Sequence, residues 1–408
     1  MVLKAASGRR PRATPNGARH AAHLRRLNLE RVLSAAIARE GEFTRAELIE
    51  ATGLSAPTVG SLATSLIRTG LLVDLGSGPS RGGRRPGHME FNRRHGFVAV
   101  IDLGPTRTRL AVADLRGELV VHRVVNTPGD KKPSALLNTL ARQTRDLLEA
   151  VDVPANRLVA VGAGVPGAVD PVTGTIIGLA TNLPGWREVP VATILRQALG
   201  TAVVVENDVN LAVLGEHWKG AARDHDTCVF LSFGTGIGAG IMVDGHLHHG
   251  HHALAGEIGA LCMGPQFVNQ DFASRGCLET LAGLGALRNR WRASEQSPDW
   301  VSALFTAATS GDRDARAIVE DVSTLVAIAA ANVACIVDPS IVVLGGALGM
   351  QGEPLLQRVR EIVGRIMPVP PPIVMSDLDK DAPVWGGLLM ATVEALEQVR
   401  LQLGRKTS

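Results

Sequence analysis

The sequence has no tyrosine, and aromatic residues make up only 3% of it, 8 Phe and 5 Trp in 408 residues. Readers of single-stranded RNA stack bases on aromatic platforms, so this composition argues against that class. Cysteine is scarce as well. Cys228, Cys262, Cys277 and Cys335 are too few and too scattered for a disulfide framework, and no Cys-x-x-Cys spacing offers a zinc site. The longest apolar run, Leu325 to Val337, is broken by Asn332 and is shorter than the roughly 20 residues that span a bilayer. The stretch from Met1 to Leu24 has no apolar core ahead of a cleavage site, so no secretory signal is expected. These absences lead to the expectation of a cytoplasmic protein with no membrane partner.

Net charge is also small, +3 from 42 basic and 39 acidic residues, but it is unevenly spread. Met1 to Gly96 holds 16 Lys and Arg against 7 Asp and Glu, a balance of +9, and the remainder holds 26 against 32, a balance of −6. A basic head on a mildly acidic body suggests that the head faces a polyanion. At 45% hydrophobic and 20% charged the chain is globular.

Residues 1–22, rich in Arg, Gly, Pro and Ala without apolar periodicity, read as a disordered basic leader, with a DNA-contacting arm as the alternative. Helical spacing starts at Asn28, with Val32, Leu33, Ala36 and Ile37 on one face, and stops near Gly41. Thr44-Arg45-Ala46-Glu47 is a capping-box pattern that opens a second helix to near Ala51. Gly53 can take the positive φ that ends it, and Ser55 can cap a third helix with Pro57 in its first turn. Val59, Leu62, Leu66 and Ile67 form that helix's buried face. This unit reads as a helix-turn-helix whose second helix would enter the major groove of double-stranded DNA. Arg45, Ser55, Ala56, Thr58, Ser61 and Thr64 are the candidate contacts. Two apolar segments, Leu71–Leu75 and Met89–Phe91, flank a glycine-rich basic stretch. It reads as a wing in which Arg81, Arg84 and Arg85 could reach phosphates or a narrow minor groove. The head is thus expected as a winged helix-turn-helix domain over 23–92.

The body, expected over 97–403, reads as two strand-rich halves. Phe97–Leu103 is a strand ending in Asp102-Leu103-Gly104-Pro105-Thr106, and Thr108–Leu115 and Leu119–Val125 follow as strands. A helix over Ala135–Val151 and a strand over Leu158–Gly164 complete the first round. The second round has a strand Cys228–Phe233 ending in Gly234-Thr235-Gly236-Ile237-Gly238, then a strand Ala239–Val243. A long helix Arg313–Ile336 and a strand Ile341–Leu344 follow, then a helix Pro354–Ile366, a strand Ile373–Met375 and a last helix Trp385–Gln402. Strand–helix alternation implies a mixed sheet flanked by helices in each half. Two facing glycine turns, with Gly104 and Thr106 in one and Gly234, Thr235 and Gly236 in the other, suit a phosphate clamp built from backbone N–H groups.

The pattern resembles the ROK family, named for repressors, open reading frames and kinases. The residues that carry the resemblance run in order from Asp102-Leu103-Gly104-Pro105-Thr106 through Val165-Pro166-Gly167, Asn182-Leu183-Pro184-Gly185-Trp186 and Glu206-Asn207-Asp208. They continue with Gly234–Gly238, Gly256-Glu257-Ile258-Gly259, Gly276-Cys277-Leu278-Glu279 and Leu344-Gly345-Gly346. The head and Gly82-Gly83-Arg84-Arg85-Pro86 resemble the repressor branch. The resemblance implies a duplicated actin/hexokinase-like (ribonuclease H-like) α/β body. It makes Asp208 the counterpart of the kinase base, and Asn182, Asn207, Asp208, Glu257 and Glu279 the ligands of a sugar-like effector.

Two departures set the expected function. Pro105 stands where kinases carry a second glycine, and proline lacks the N–H that would meet a phosphate. The family's zinc motif has a His where this chain has Ala260, and cysteines where it has Gln270 and Phe272, so Cys277 alone remains and no metal is expected. The histidines His246, His248, His249, His251 and His252 read as a polar loop. The expectation is a transcriptional regulator, a repressor of carbohydrate-related genes, with no catalytic residue and no cofactor, acting as a homodimer or homotetramer. An ATP-dependent sugar kinase with an added DNA-binding head is the alternative.

Overall fold

The computed structural model describes residues 15–77, 87–128, 132–178, 183, 185–291 and 299–406. The wing residues Arg81, Arg84 and Arg85 and the candidate ligand Asn182 therefore lie outside the described residues. The chain divides into two compact units, Met1–Gly96 with Leu396–Ser408, and Phe97–Ala395. The body thus ends earlier than the expected residue 403.

The first unit begins with α1 (Pro15–Ile37), followed by β1 (Phe43–Thr44), α2 (Arg45–Thr52), α3 (Ala56–Arg68), β2 (Leu72–Ser77) and β3 (Gly87–Phe91). The leader expected without structure to residue 22 is helical from Pro15. Proline is well placed at a first helical position, and the following Ala, Arg and Leu residues are strong helix formers even without an apolar stripe. The capping box forms as expected: the Thr44 hydroxyl accepts the Glu47 N–H, and the Glu47 carboxylate accepts the Thr44 N–H at 2.7 Å. Gly53 adopts φ 65 and closes α2. Ser55 sits at the cap of α3 with extended backbone, but its hydroxyl lies 2.8 Å from that of Thr58 and caps no N–H. Pro57, in the first turn, removes one of the donors a cap would take. Leu33, Phe43, Leu48, Val59, Leu62, Leu66, Leu72, Met89 and Phe91 are buried and form the core. The strands pair in the order β1-β3-β2, all antiparallel.

The second unit has two lobes, each built on a five-stranded mixed sheet. The first contains β4 (Phe97–Leu103), β5 (Arg107–Asp114), β6 (Leu119–Asn126), α4 (Pro133–Glu149) and β7 (Leu158–Val165). The short pair β8 (Ala168–Asp170) and β9 (Thr175–Gly178) precedes α5 (Val191–Leu199) and β10 (Ala202–Asn207). Its sheet order is β10-β7-β4-β5-β6. Then α6 (Asp208–Lys219) leads to the second lobe. That lobe contains β11 (Cys228–Phe233), β12 (Ile237–Val243), β13 (His246–Leu247), α7 (Cys277–Ala282), α8 (Leu284–Arg290), α9 (Trp300–Thr309) and α10 (Arg313–Val337). It continues with β14 (Ile341–Gly345), α11 (Gly346–Gly349), α12 (Glu353–Ile366) and β15 (Ile373–Met375); α13 (Ala382–Lys406) follows, and its residues from Leu396 on belong to the first unit. Its sheet order, β13-β12-β11-β14-β15, repeats that of the first lobe. In each, an antiparallel three-strand meander is extended by parallel strands that follow helices. Separate apolar cores fill the two lobes. Among the described residues α10 is the one helix long and apolar enough to cross a bilayer, and 56% of its apolar window is buried inside the protein.

The helix α6 positions the site. It starts where β10 of the first lobe ends, yet it packs on β11 and β12 of the second. Gly240 permits this: a side chain there would lie 2.6 Å from the Val209 carbonyl oxygen. Thr44→Ala is expected to weaken α2 by about 1 kcal/mol. Hydrogen exchange at the α2 amides should then be roughly fivefold faster, while exchange in the second unit is unchanged.

Candidate functional site

A cavity of about 150 Å³ opens between the lobes. Pro105 comes from the first glycine turn, Gly234, Thr235 and Gly236 from the second, and the adjacent Asn207 and Asp208, then Glu257, then Glu279 from three stretches of chain far apart in sequence. The expected carboxylates are therefore brought together, alongside both turns.

Each is held by identifiable contacts. Asn207 caps α6: its side-chain oxygen accepts the Val209 and Asn210 N–H groups, and its amide donates to the Gly167 carbonyl at 3.1 Å. Asn207 lines the cavity, and its polar atoms also tie α6 to the Val165–Gly167 turn. Glu279 lies in the first turn of α7 and accepts the Ile237 N–H at 3.0 Å. Gly276, at φ 88, brings α7 close to the Glu257 segment, since a side chain there would lie 2.3 Å from the Gly259 carbonyl oxygen.

Crowding of acids sets the electrostatics. Burial, then the Asp102 charge behind it, pushes the Asp208 carboxyl up to about 7. Burial and neighbouring Glu279 push Glu257 up to about 7, and burial raises Glu279 as well. Asp102, 4% exposed, is raised by burial to about 6, although Arg109 pulls it down. The Arg109 guanidinium lies 3.3 Å from Asp102 and 3.3 Å from Asp381. Near neutral pH Asp208 and Glu257 thus share protons with water, so each can donate to or accept from a hydroxyl group.

The glycine turns have fewer donors than their composition suggests. Pro105 has none, and the Gly104 N–H is spent on the Arg107 carbonyl. The Gly234 N–H closes its own turn on the Gly236 carbonyl, and the Ile237 N–H is taken by Glu279.

One residue beside the cavity was named only as part of the Glu206-Asn207-Asp208 motif, with no role. Glu206, 3% exposed, accepts the Asn207 N–H at 2.7 Å, the Asn210 side-chain amide at 2.9 Å and His249 Nε2 at 2.7 Å. That last bond raises the His249 pKa. His249 belongs to the stretch read as an uncommitted polar loop; it is a strut between the two lobes. A lone acid closing the apolar run of β10 was the available signal, and neither β10 nor α6 was anticipated.

In the first unit, Ser55, Ala56, Ser61 and Thr64 are exposed along one side of α3, while Thr58 is half-buried. Arg45 begins α2 and is half-buried.

The ROK family pattern matches residues 98–393. The chain belongs to the ROK family. The xylose repressor of Caldicellulosiruptor bescii is 29% identical over 335 residues, covering 79% of this chain and 84% of that one. The glucokinase of Thermotoga maritima is 32% identical over 304 residues, covering 70% and 94%. In fold, the chain matches a ROK family transcriptional regulator described as a homologue of the Escherichia coli MLC protein, with a TM-score of 0.74, 22% identity, and 93% and 98% coverage. A ROK glucokinase from Streptomyces griseus, solved with glucose and AMPPNP, matches with a TM-score of 0.61, 26% identity, and 72% and 99% coverage. The body therefore has the actin/hexokinase-like ROK fold.

The zinc of the ROK motif does not fit this chain. Ala260 and Phe272 offer no ligand atom; Phe272 packs edge-to-face on Phe267 with ring centroids 6.1 Å apart, and Gln270 donates to the Gln266 carbonyl. Among the described residues no three His, Cys, Asp or Glu side chains cluster to hold a metal ion.

The raised carboxyls predict how stability responds to pH. Asp208 titrates near 7 when folded and near 3.9 when unfolded, so its contribution is complete below about pH 4 and is lost as pH rises through 7. Asp208→Asn is therefore expected to raise the thermal midpoint of the body at pH 8.5, with the gain vanishing by pH 4. A gain independent of pH would mean that Asp208 is not the titrating group.

Proposed function

We propose that this ROK protein is a DNA-binding transcriptional regulator, a repressor of carbohydrate-related genes, whose cleft binds a sugar-like effector. The observation that carries the reading is the head. Its α2–Gly53–α3 unit, followed by the hairpin of β2 and β3, has the form of a winged helix-turn-helix. Ser55, Ala56, Ser61 and Thr64 lie exposed on the helix that would enter the major groove. Head and leader together carry +9 over residues 1–96. The xylose repressor relatives support the reading, and paired half-sites call for a homodimer or homotetramer acting on the nucleoid in the cytoplasm.

Within the cleft, Asp208, Glu257 and Glu279 are the effector contacts, offering donors and acceptors to the hydroxyls of one sugar ring. The family motifs add Asn182 and Asn207 to this set. Pro105 and the Arg109 guanidinium beside Asp102 weigh against phosphoryl transfer. One places a ring where a phosphate would need an N–H, and the other fills the ground before the buried acid. A sugar kinase with an added head is the second reading. It is favoured by Asp208, whose pKa near 7 suits a general base, and by the glucokinase relatives.

Fluorescence anisotropy with duplex DNA from upstream of the protein's own gene tests the head. Arg84→Ala with Arg85→Ala should weaken binding and reduce the slope of log K against log salt by about two units, one for each lost phosphate contact. An unchanged slope would remove the wing from the account.

A further inference from the structure

The carboxylate cavity, about 150 Å³, is small beside typical ligand pockets of roughly 300–1,000 Å³. It does not stand alone. A groove of about 1150 Å³ adjoins it, and Ala253 lines both. The segment after β13 forms the shared wall: Ala253 and Ala255 face the cavity, and His249 to Leu254 face the groove. Ala253 holds φ 54, a left-handed conformation that costs a non-glycine residue energy, at the point where the two spaces meet.

The groove's chemistry is two-sided. Arg187, His249, His251 and His252 supply donors and acceptors, and the His251 and His252 rings pack edge-to-face with centroids 4.4 Å apart. Val172, 92% exposed, and Leu254, 43% exposed, keep apolar surface in water on the same lining. A pyranose has matching character, with hydroxyls around its edge and C–H groups on its faces. Single imidazoles or an exposed valine would carry little. Their place on the wall of a sugar-sized cavity gives the groove an occupant.

We propose that the effector is a saccharide of two or more rings, with one ring among Asp208, Glu257 and Glu279 and the next in the groove against His251, His252, Val172 and Leu254. This rests on the sugar-site reading above and narrows it from a monosaccharide to an oligosaccharide. The His249–Glu206 bond gives the second ring a route to the site, because His249 lines the groove while Glu206 holds Asn207 and α6.

Isothermal titration calorimetry on the full chain tests it, using D-xylose and D-glucose against xylobiose, cellobiose and maltose. At least one disaccharide should bind about tenfold or more tighter than its own monosaccharide. The double variant H251A/H252A, and separately V172S at a solvent-facing position, should bring that ratio toward one. A monosaccharide that binds as tightly as every disaccharide would overturn the proposal while leaving the sugar site standing. So would a ratio that survives both variants. If none of the sugars binds, the sugar-site reading falls with it.

Discussion

Buried carboxylates need offsetting, and the cleft of this protein is organised around that need. Asp102, Glu206, Asp208, Glu257 and Glu279 all gather where the two lobes meet, and charge withdrawn from water is costly unless neutralised or hydrogen-bonded. Each acid has its own answer. Asp102 has Arg109, Glu279 has the Ile237 N–H, and Glu206 has the Asn207 N–H, Asn210 and His249. Asp208 and Glu257 are left to hold protons, both near pH 7. They are the acids of the cleft that hydroxyl groups of a ligand can best satisfy.

The same arrangement bears on phosphoryl transfer. A kinase cleft keeps its donors open for phosphates, whereas here Pro105 has no donor and the Gly104, Gly234 and Ile237 N–H groups are already engaged. Arg109, on β5, bridges Asp102 of β4 and Asp381, which lies after β15, and so acts as an internal counter-ion to both. Ligand binding needs neither the missing donors nor a bare Asp102, so a sensor can tolerate what would hinder a catalyst.

Much of this was legible in the sequence, for physical reasons. The capping box at Thr44 and Glu47 and the helix end at Gly53 are local, so a few residues determine them. The strands of the first meander and the first two of the second follow from apolar runs ended by turns, whereas β13 falls in the stretch read as a polar loop; the carboxylates of the cleft follow from their motifs. What was illegible is tertiary. The first turns of α1, before Asn28, lack an apolar stripe, and α6 has an irregular pattern because it packs against both lobes. The role of Glu206 depends on His249, 43 residues away in the chain. Asn207 is matched by motif to a ligand, and that its side chain also caps α6 does not follow from the motif.

The central claim is that the cleft senses without catalysing, and one experiment addresses it directly. The full chain bound to its own upstream DNA is titrated with mono- and disaccharides in the presence of ATP, following DNA release and ADP formation together. The account predicts that a saccharide changes DNA affinity by roughly 5- to 150-fold, the usual range of coupling between sites, with no ADP formed. Saccharide-dependent ADP formation with DNA affinity unchanged would contradict it.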